Sequence, residues 1–316
     1  MSTTISLKNE TVPVEAPGID DGVVQKALDS KPFQEWKKTV EDNPRIRVKK
    51  ITLQSIDMFG PRVGFIKFNA DAEVNGKWCP GIVFMRGASV AILVILRCGG
   101  EEWVVLTKQP RMPIGMSSFP EIPAGMIDNS GTFSGAAAKE MKEETAIEIT
   151  EGDLEDMTKL TFGDDANAFR GMYPSPGGCD EWMRLFLYQK DVDPAYLSDL
   201  QGKAGLGVQD EGEQISLLVM KLEELWQNTS DGKSLAAVCL HQNLRAAGRV
   251  SPAPVNDRSA VMSPSPPPGS KPTHVANRPS FGRSGGRYDV VVLGEAHLDI
   301  RMTTTLVDGK DRKSVV

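Results

Sequence analysis

Nine consecutive residues, Ala88 to Leu96 (ASVAILVIL), carry no charge and a single hydroxyl, and no other segment constrains the fold as strongly. A run of this length is suited to a buried strand and falls well short of the ~18 apolar residues a membrane helix needs. Further strands are expected at Trp103–Thr107, Leu185–Tyr188 and Ile215–Met220. Between them, Phe133 to Thr145 reads as a helix, because Phe133, Ala137 and Met141 fall on one i, i+4 stripe. A loop at Pro123–Gly125 precedes this helix, and Lys221–Gln227 opens another with Leu222, Leu225 and Trp226 apolar. The alternation of strand and helix predicts an α/β fold.

Flanking segments divide the chain further. Residues 1–79 read as a small N-terminal α+β subdomain. Its start is irregular, a helix follows from about Val23 to Val40 with Phe33, Trp36 and Val40 at helical spacing, and strands run from Val48 to about Asn75 with a turn at Phe59, Gly60 and Pro61. Residues 80–250 carry the alternating pattern. Residues 251–286 form a Pro/Ser-rich linker, with SPAPVNDRSAVMSPSPPPGSKP too poor in apolar side chains to offset ordering entropy, so a disordered tail is expected. Residues 287–316 are an orphan segment in which RYDVVVLGEAHLDI predicts one buried strand and a turn.

Composition narrows the function. Lys and Arg number 36 against 42 Asp and Glu, a net charge of −6 with no basic stripe, which argues against a nucleic-acid binder. Cys79, Cys98, Cys179 and Cys239 show no C-x-x-C spacing, so neither a zinc site nor a disulfide framework is expected. The start, MSTTISLKNETVPVEAPG, has no apolar core of a signal peptide and no Arg-rich amphipathic pattern, which points to a cytoplasmic protein without a membrane span.

The chemistry concentrates on the helix after Pro123–Gly125. Glu140, Glu143 and Glu144 share one face, and like charges at i, i+3 and i+4 cost a few tenths of a kcal/mol per pair unless something offsets them. A hard divalent cation would do so. The alternative is a solvated face with Lys139 and Lys142 as i, i+3 or i+4 partners.

Aligned without gaps, Gly125 to Ile147 resembles the Nudix box, G-x5-E-x7-R-E-U-x-E-E-x-G-U, matching at Gly125, Glu140, Met141, Glu143, Glu144 and Ile147. Gly131 stands where the first Glu belongs, Lys139 replaces the Arg and Ala146 replaces the second Gly. The surrounding QSIDMFGPRVGF, PGIVFMRGASVAILVIL, LTKQPRMP, EIPAGM and YPSPGGCDE look like the ADP-sugar diphosphatase branch of Nudix hydrolases.

This resemblance implies a Nudix α/β/α sandwich. It also implies Mg²⁺-dependent hydrolysis (Mn²⁺ serving as well) of an ADP-sugar such as ADP-glucose or ADP-ribose to AMP and a sugar phosphate. It makes Glu140 and Glu144 the main metal ligands, helped by the Ala124 carbonyl and Glu213, with Glu143 sharing or bridging ions. Glu211, in the DEGE stretch before the Ile215 strand, would activate water. Arg62, Arg111, Glu121, Ser175, Gly177 and Gly178 would contact substrate, and a homodimer through the N-terminal subdomain is implied. A nucleotide-binding protein that has lost turnover, a UDP-sugar diphosphatase, and an interaction protein acting through the proline-rich tail are the alternatives.

Overall fold

The computed structural model describes residues 2–127, 132–163, 170–208, 213–250, 304–307 and 310–313. Contacts within the chain group into two units, Met1–Val261 and Met262–Val316.

The larger unit opens with a hairpin where an irregular start was expected. Strands β1 (Ser2–Leu7) and β2 (Glu10–Glu15) pair antiparallel across Lys8 and Asn9, both at positive φ (50° and 64°) as a tight two-residue turn requires. The alternation that buries Val12 and Val14 was present in ETVPVE, but its proline masked it as a strand. The single helix expected over Val23–Val40 is two, α1 (Asp21–Asp29) and α2 (Lys31–Asp42), broken at Ser30 (ψ 145°). Pro32 is the cause: within a continuous helix it has no N–H for Leu28, whose carbonyl accepts instead from the Gln34 side chain at 2.6 Å. Strands β3 (Ile46–Phe59), β4 (Arg62–Val74), β5 (Lys77–Cys79) and β6 (Ile82–Met85) complete this sheet in the order β1-β2-β3-β4-β5, with β6 also on β4. Both helices cover it, Val24, Ala27, Leu28 and Phe33 sharing a core with Ile51, Leu53, Ile66 and Phe68.

The second sheet grows around β7 (Ser89–Cys98), the apolar run. Then come β8 (Glu101–Arg111), β9 (Met116–Glu121), β10 (Ala124–Met126), α3 (Phe133–Thr145), β11 (Leu154–Asp156), α4 (Met157–Phe162), β12 (Met183–Asp191), α5 (Pro194–Leu200), β13 (Ala204–Leu206), β14 (Ile215–Lys221), α6 (Leu225–Asn228) and α7 (Gly232–Ala246). The order is β11-β12-β7-β8-β14-β13, with β12 parallel to β7 and β8 antiparallel to it. At its start β7 pairs instead with β10, Ala124 opposite Ala91 and Gly125 opposite Val90.

Side chains of β7 explain the sandwich. Val90, Ile92, Val94 and Leu96 face one core with Ala137 and Met141 of α3 and Leu200 of α5. Ala91, Leu93 and Ile95 face the other, with Met157, Leu225, Ala237 and Leu244 from α4, α6 and α7. All seven strand residues are fully buried, and burial of each larger one contributes roughly 1.5–3 kcal/mol. Two covered faces leave no solvent-facing position between Val90 and Leu96, which is why the sequence there does not alternate. Among the described residues no helix is long and apolar enough to cross a membrane.

The smaller unit contains an antiparallel hairpin, β15 (Thr304–Val307) and β16 (Lys310–Lys313). The expected strand within Arg287–Ile300 and the proline-rich linker lie outside the described residues.

Candidate active site

Helix α3 crosses β10 with its acidic face inward. Thr132 caps it, its hydroxyl accepting from the Gly135 N–H at 3.0 Å, and Ala137 and Met141 anchor it to the core. This fixes which turn meets the strand. Glu144 is 3% exposed; one carboxylate oxygen accepts from the Ala124 N–H at 2.9 Å and the other from Gln109 Nε2 at 3.3 Å. The Glu140 carboxylate lies against the next residue, Gly125, in space that a Cβ there would occupy: its atoms stand 1.8–2.3 Å from the ideal Cβ position. Glu140 and Glu144 therefore sit over adjoining residues of β10. Burial, followed by the charges of Glu140, Glu121 and Glu213, pushes the Glu144 carboxyl up to about 8 against the opposing Ala124 hydrogen bond.

A second acidic segment is tethered to the same helix. The Gly207 N–H donates to the Glu143 carbonyl at 2.9 Å, and Glu213 folds back to accept from the Val208 N–H at 2.8 Å. Glu143 itself pairs with Lys139 at 3.9 Å on the partly exposed side of the helix, a weak contact.

Beneath these carboxylates lies a charge network that the sequence had not disclosed. Glu121, 2% exposed, accepts from Arg111 Nε at 2.7 Å with one oxygen, which also forms an ion pair with Nη2 at 2.7 Å, and pairs with Lys233 through the other. Lys233 also reaches Asp231 at 3.2 Å. Burial works against the Arg111 charge, but the Glu121 hydrogen bond and the charges of Glu121, Glu144 and Asp231 hold its pKa above the ordinary arginine value. The stretch Thr229–Ser234 forms the N-terminus of α7 and docks on the strand that leads into β10. Thr229 donates to the Pro120 carbonyl at 2.5 Å, and Ser234 Oγ accepts from the Ile122 N–H at 3.0 Å while donating to Asp231.

Comparison with known proteins bears on this arrangement. Residues 85–238 match the NUDIX domain family model. Over 259 residues, 79% of this chain and 82% of the relative, the sequence is 39% identical to Nudix hydrolase 14, chloroplastic, of Arabidopsis thaliana. The chain belongs to the Nudix hydrolase family. It is also 26% identical to the ADP-ribose pyrophosphatase of Haemophilus influenzae, over 64% of this chain and 88% of that one. A crystal structure of an ADP compounds hydrolase overlays with a TM-score of 0.40 at 17% identity, covering 65% of this chain and 99% of that one.

The Nudix box departures can now be placed. Gly131 lies outside the described residues. Ala146 takes the left-handed conformation (φ 58°, ψ 21°) that the usual glycine would adopt, its N–H closing the helix on the Lys142 carbonyl at 3.0 Å. A Cβ there costs about 1–2 kcal/mol, part of which a glycine returns as unfolded-chain entropy. Ala146→Gly is expected to stabilise the protein by roughly 0.5–1 kcal/mol, a rise of about 2–4 °C per kcal/mol in the thermal midpoint. A midpoint that falls would show that the strain is absent.

Other expected residues lie elsewhere or face inward. Arg62 is exposed at the start of β4, on the N-terminal sheet beside Phe59. Glu121, expected on the nucleotide side, faces Arg111 and Lys233 in the interior. Ser175 turns the loop by accepting from Gly178 and Cys179 at 3.3 and 3.0 Å, and the Gly178 carbonyl accepts from Phe84 of β6 at 2.7 Å. A Cβ at Gly177 or Gly178 would meet nothing within 4 Å, so the chain's own packing does not demand those glycines. Glu211 lies outside the described residues. Gln109 and Lys233 were missed; the Thr-Ser-Asp sequence before Gly232 is the N-cap signal that could have revealed α7 and its lysine.

Among the described residues no three acidic, His or Cys side chains converge into a metal cage. Mg²⁺ does not require one, since it takes one or two carboxylates and fills its shell with water and substrate oxygens. Glu140 and Glu144 over β10, with a buried carboxyl that a cation would relieve of its elevated pKa, fit such a partial site.

Proposed function

We propose that this Nudix hydrolase cleaves the diphosphate of an ADP-sugar, ADP-glucose or ADP-ribose, with water to give AMP and a sugar phosphate, using Mg²⁺. The observation that carries the proposal is the juxtaposition of Glu144 on Ala124 with Glu140 on Gly125, backed by the Arg111–Glu121–Lys233 network built on the buried Glu121. The similarity to a protein named ADP-ribose pyrophosphatase supports the adenine nucleotide class.

Glu140 and Glu144 would hold the ion, with Glu143, Glu213 and the Ala124 carbonyl as further ligands. An ion held there would supply charge neutralisation for the phosphates and a more acidic water. Gln109 and the Ala124 N–H keep Glu144 oriented. Arg111, fixed by a hydrogen bond and an ion pair to Glu121, would offer its remaining N–H groups to the diphosphate. Glu211 would take the proton of the attacking water; Gly207, four residues before it in the chain, is tied to α3. Ser175, Gly177 and Gly178 would line the sugar side, and Arg62 would reach substrate as part of a homodimer.

Purified protein incubated with ADP-glucose, ADP-ribose and UDP-glucose, with and without Mg²⁺, is expected to release AMP from the ADP-sugars only when the ion is present. Preferred turnover of UDP-glucose would overturn the adenine assignment. No release from any of them would favour a nucleotide-binding protein that has lost turnover, for which Gly131, Lys139 and Ala146 are the motive.

A further inference from the structure

Two cations and two carboxylates meet where α7 docks on β9, and their surroundings differ. Asp231 caps α7: one oxygen accepts from the Ser234 N–H at 3.1 Å and its hydroxyl at 2.5 Å, while the other stands 3.2 Å from Lys233 Nζ, so the helix N-terminus and the lysine share its charge. Glu121 has no such backbone partner and is almost fully buried, a position in which an unpaired carboxylate is costly. It holds Arg111 on one oxygen and Lys233 on the other. The Lys233 side chain is 11% exposed and the Arg111 side chain 39%, so the lysine is enclosed while the arginine can meet a ligand. Paired with Glu121 alone, Arg111 would present no net positive charge outward.

We infer that Lys233 is a positioning residue for diphosphate binding: by neutralising Glu121 it leaves the charge of Arg111 available to the phosphates of a nucleoside diphosphate. This rests on the assignment of Arg111 to the diphosphate made above. Lys233 touches no substrate and acts through Glu121. An arginine presented in this way suits phosphate oxygens because its planar fork keeps N–H groups for them while its Nε–H is held by the carboxylate.

The test combines steady-state kinetics on ADP-glucose with calorimetric titration of ADP, both with excess Mg²⁺, on the full chain. Lys233→Met is expected to raise KM and the Kd for ADP about tenfold while kcat stays within about threefold, the pattern of a lost binding charge. Glu121→Gln combined with Lys233→Met removes both charges and should bring KM and Kd back to within about threefold of wild type, because Arg111 is again uncompensated. A lysine that merely packs the helix would make the double variant as poor as the single one or poorer, and that result overturns the inference. So would a loss confined to kcat, or wild-type protein that binds no ADP. If wild type and variants show this pattern in the Kd for ADP yet release no AMP from any ADP-sugar, the hydrolytic assignment falls and the role of Lys233 stands. Should Lys233→Met fail to fold, Lys233→Arg, which keeps the charge, must retain wild-type Kd and KM; a tenfold loss there overturns the inference equally.

Discussion

Glu144→Gln is expected to abolish hydrolysis and, in metal-free protein at alkaline pH, to raise the thermal midpoint. The two effects have one origin. Glu144 is held at 3% exposure beside other carboxylates, an environment that disfavours its charge. A carboxylate that is to bind Mg²⁺ must nonetheless be ionised, so in the proposed role the fold gives up stability at this position to present it. Glutamine keeps the shape, can accept from the Ala124 N–H, and can meet Gln109 if that amide flips, while lacking the charge. Loss of a principal ligand worth several kcal/mol in the transition state corresponds to a fall of ~10³-fold or more in kcat/KM.

The pH dependence carries a definite sign. The carboxyl is raised in the folded state to about 8 from an ordinary 4.5, so between those values the native protein retains a proton that the unfolded chain has released. Its contribution is therefore fully present below pH 4.5 and is lost as pH rises through 8. In EDTA, wild type and Glu144→Gln should melt together near pH 4.5 and separate progressively up to pH 8, the variant being the more stable. Excess Mg²⁺ should narrow that gap by binding wild type only. Equal midpoints at pH 8 in EDTA would show that Glu144 is not electrostatically disfavoured, and full activity of the variant would remove it from the site.

How far the site was legible in the sequence depended on whether its interactions were local. The bounds of α3, Phe133–Thr145, and the left-handed end at Ala146 follow from periodicity and box spacing within one segment. Both faces of β7 being buried follows from ASVAILVIL alone. The Ser30 break could have been read from Pro32, but the apolar spacing of Phe33, Trp36 and Val40 runs smoothly on the far side and conceals it. What stayed hidden is what requires distant segments to meet. Nothing near Glu121 announces that it will be buried against a lysine 112 residues away, because a carboxylate before a proline-containing loop reads as exposed. Gln109 was visible within LTKQPRMP, yet its bond to Glu144 depends on β8 lying beneath the box helix. Charge pairs of this kind are set by tertiary structure, and sequence offers only the residues that could take part.

Gly125→Ala is expected to separate folding from catalysis. Gly125 has an ordinary φ and lies in β10 opposite Val90, so its backbone would accept alanine without strain, and alanine loses less chain entropy on folding than glycine. The midpoint should therefore hold or rise slightly. The added methyl, however, falls within 1.8–2.3 Å of the Glu140 carboxylate and cannot coexist with it. A carboxylate at the end of a flexible side chain will swing aside at small cost to stability, which moves it off the residue adjoining Ala124, where Glu144 is held. Misplacing a ligand by an ångström or more should lower kcat/KM ~10²-fold and shift half-saturation by Mg²⁺ to higher concentration. Glu140→Gln should lose activity similarly, and the double variant should lose little more than either alone, since both changes remove one interaction. Additive losses in the double variant, or undiminished activity in Gly125→Ala, would mean that the glycine does not serve the carboxylate and that the first position of the box owes its identity to something else. A folding defect would also contradict the geometry, because the three atoms nearest the methyl all belong to the Glu140 carboxylate.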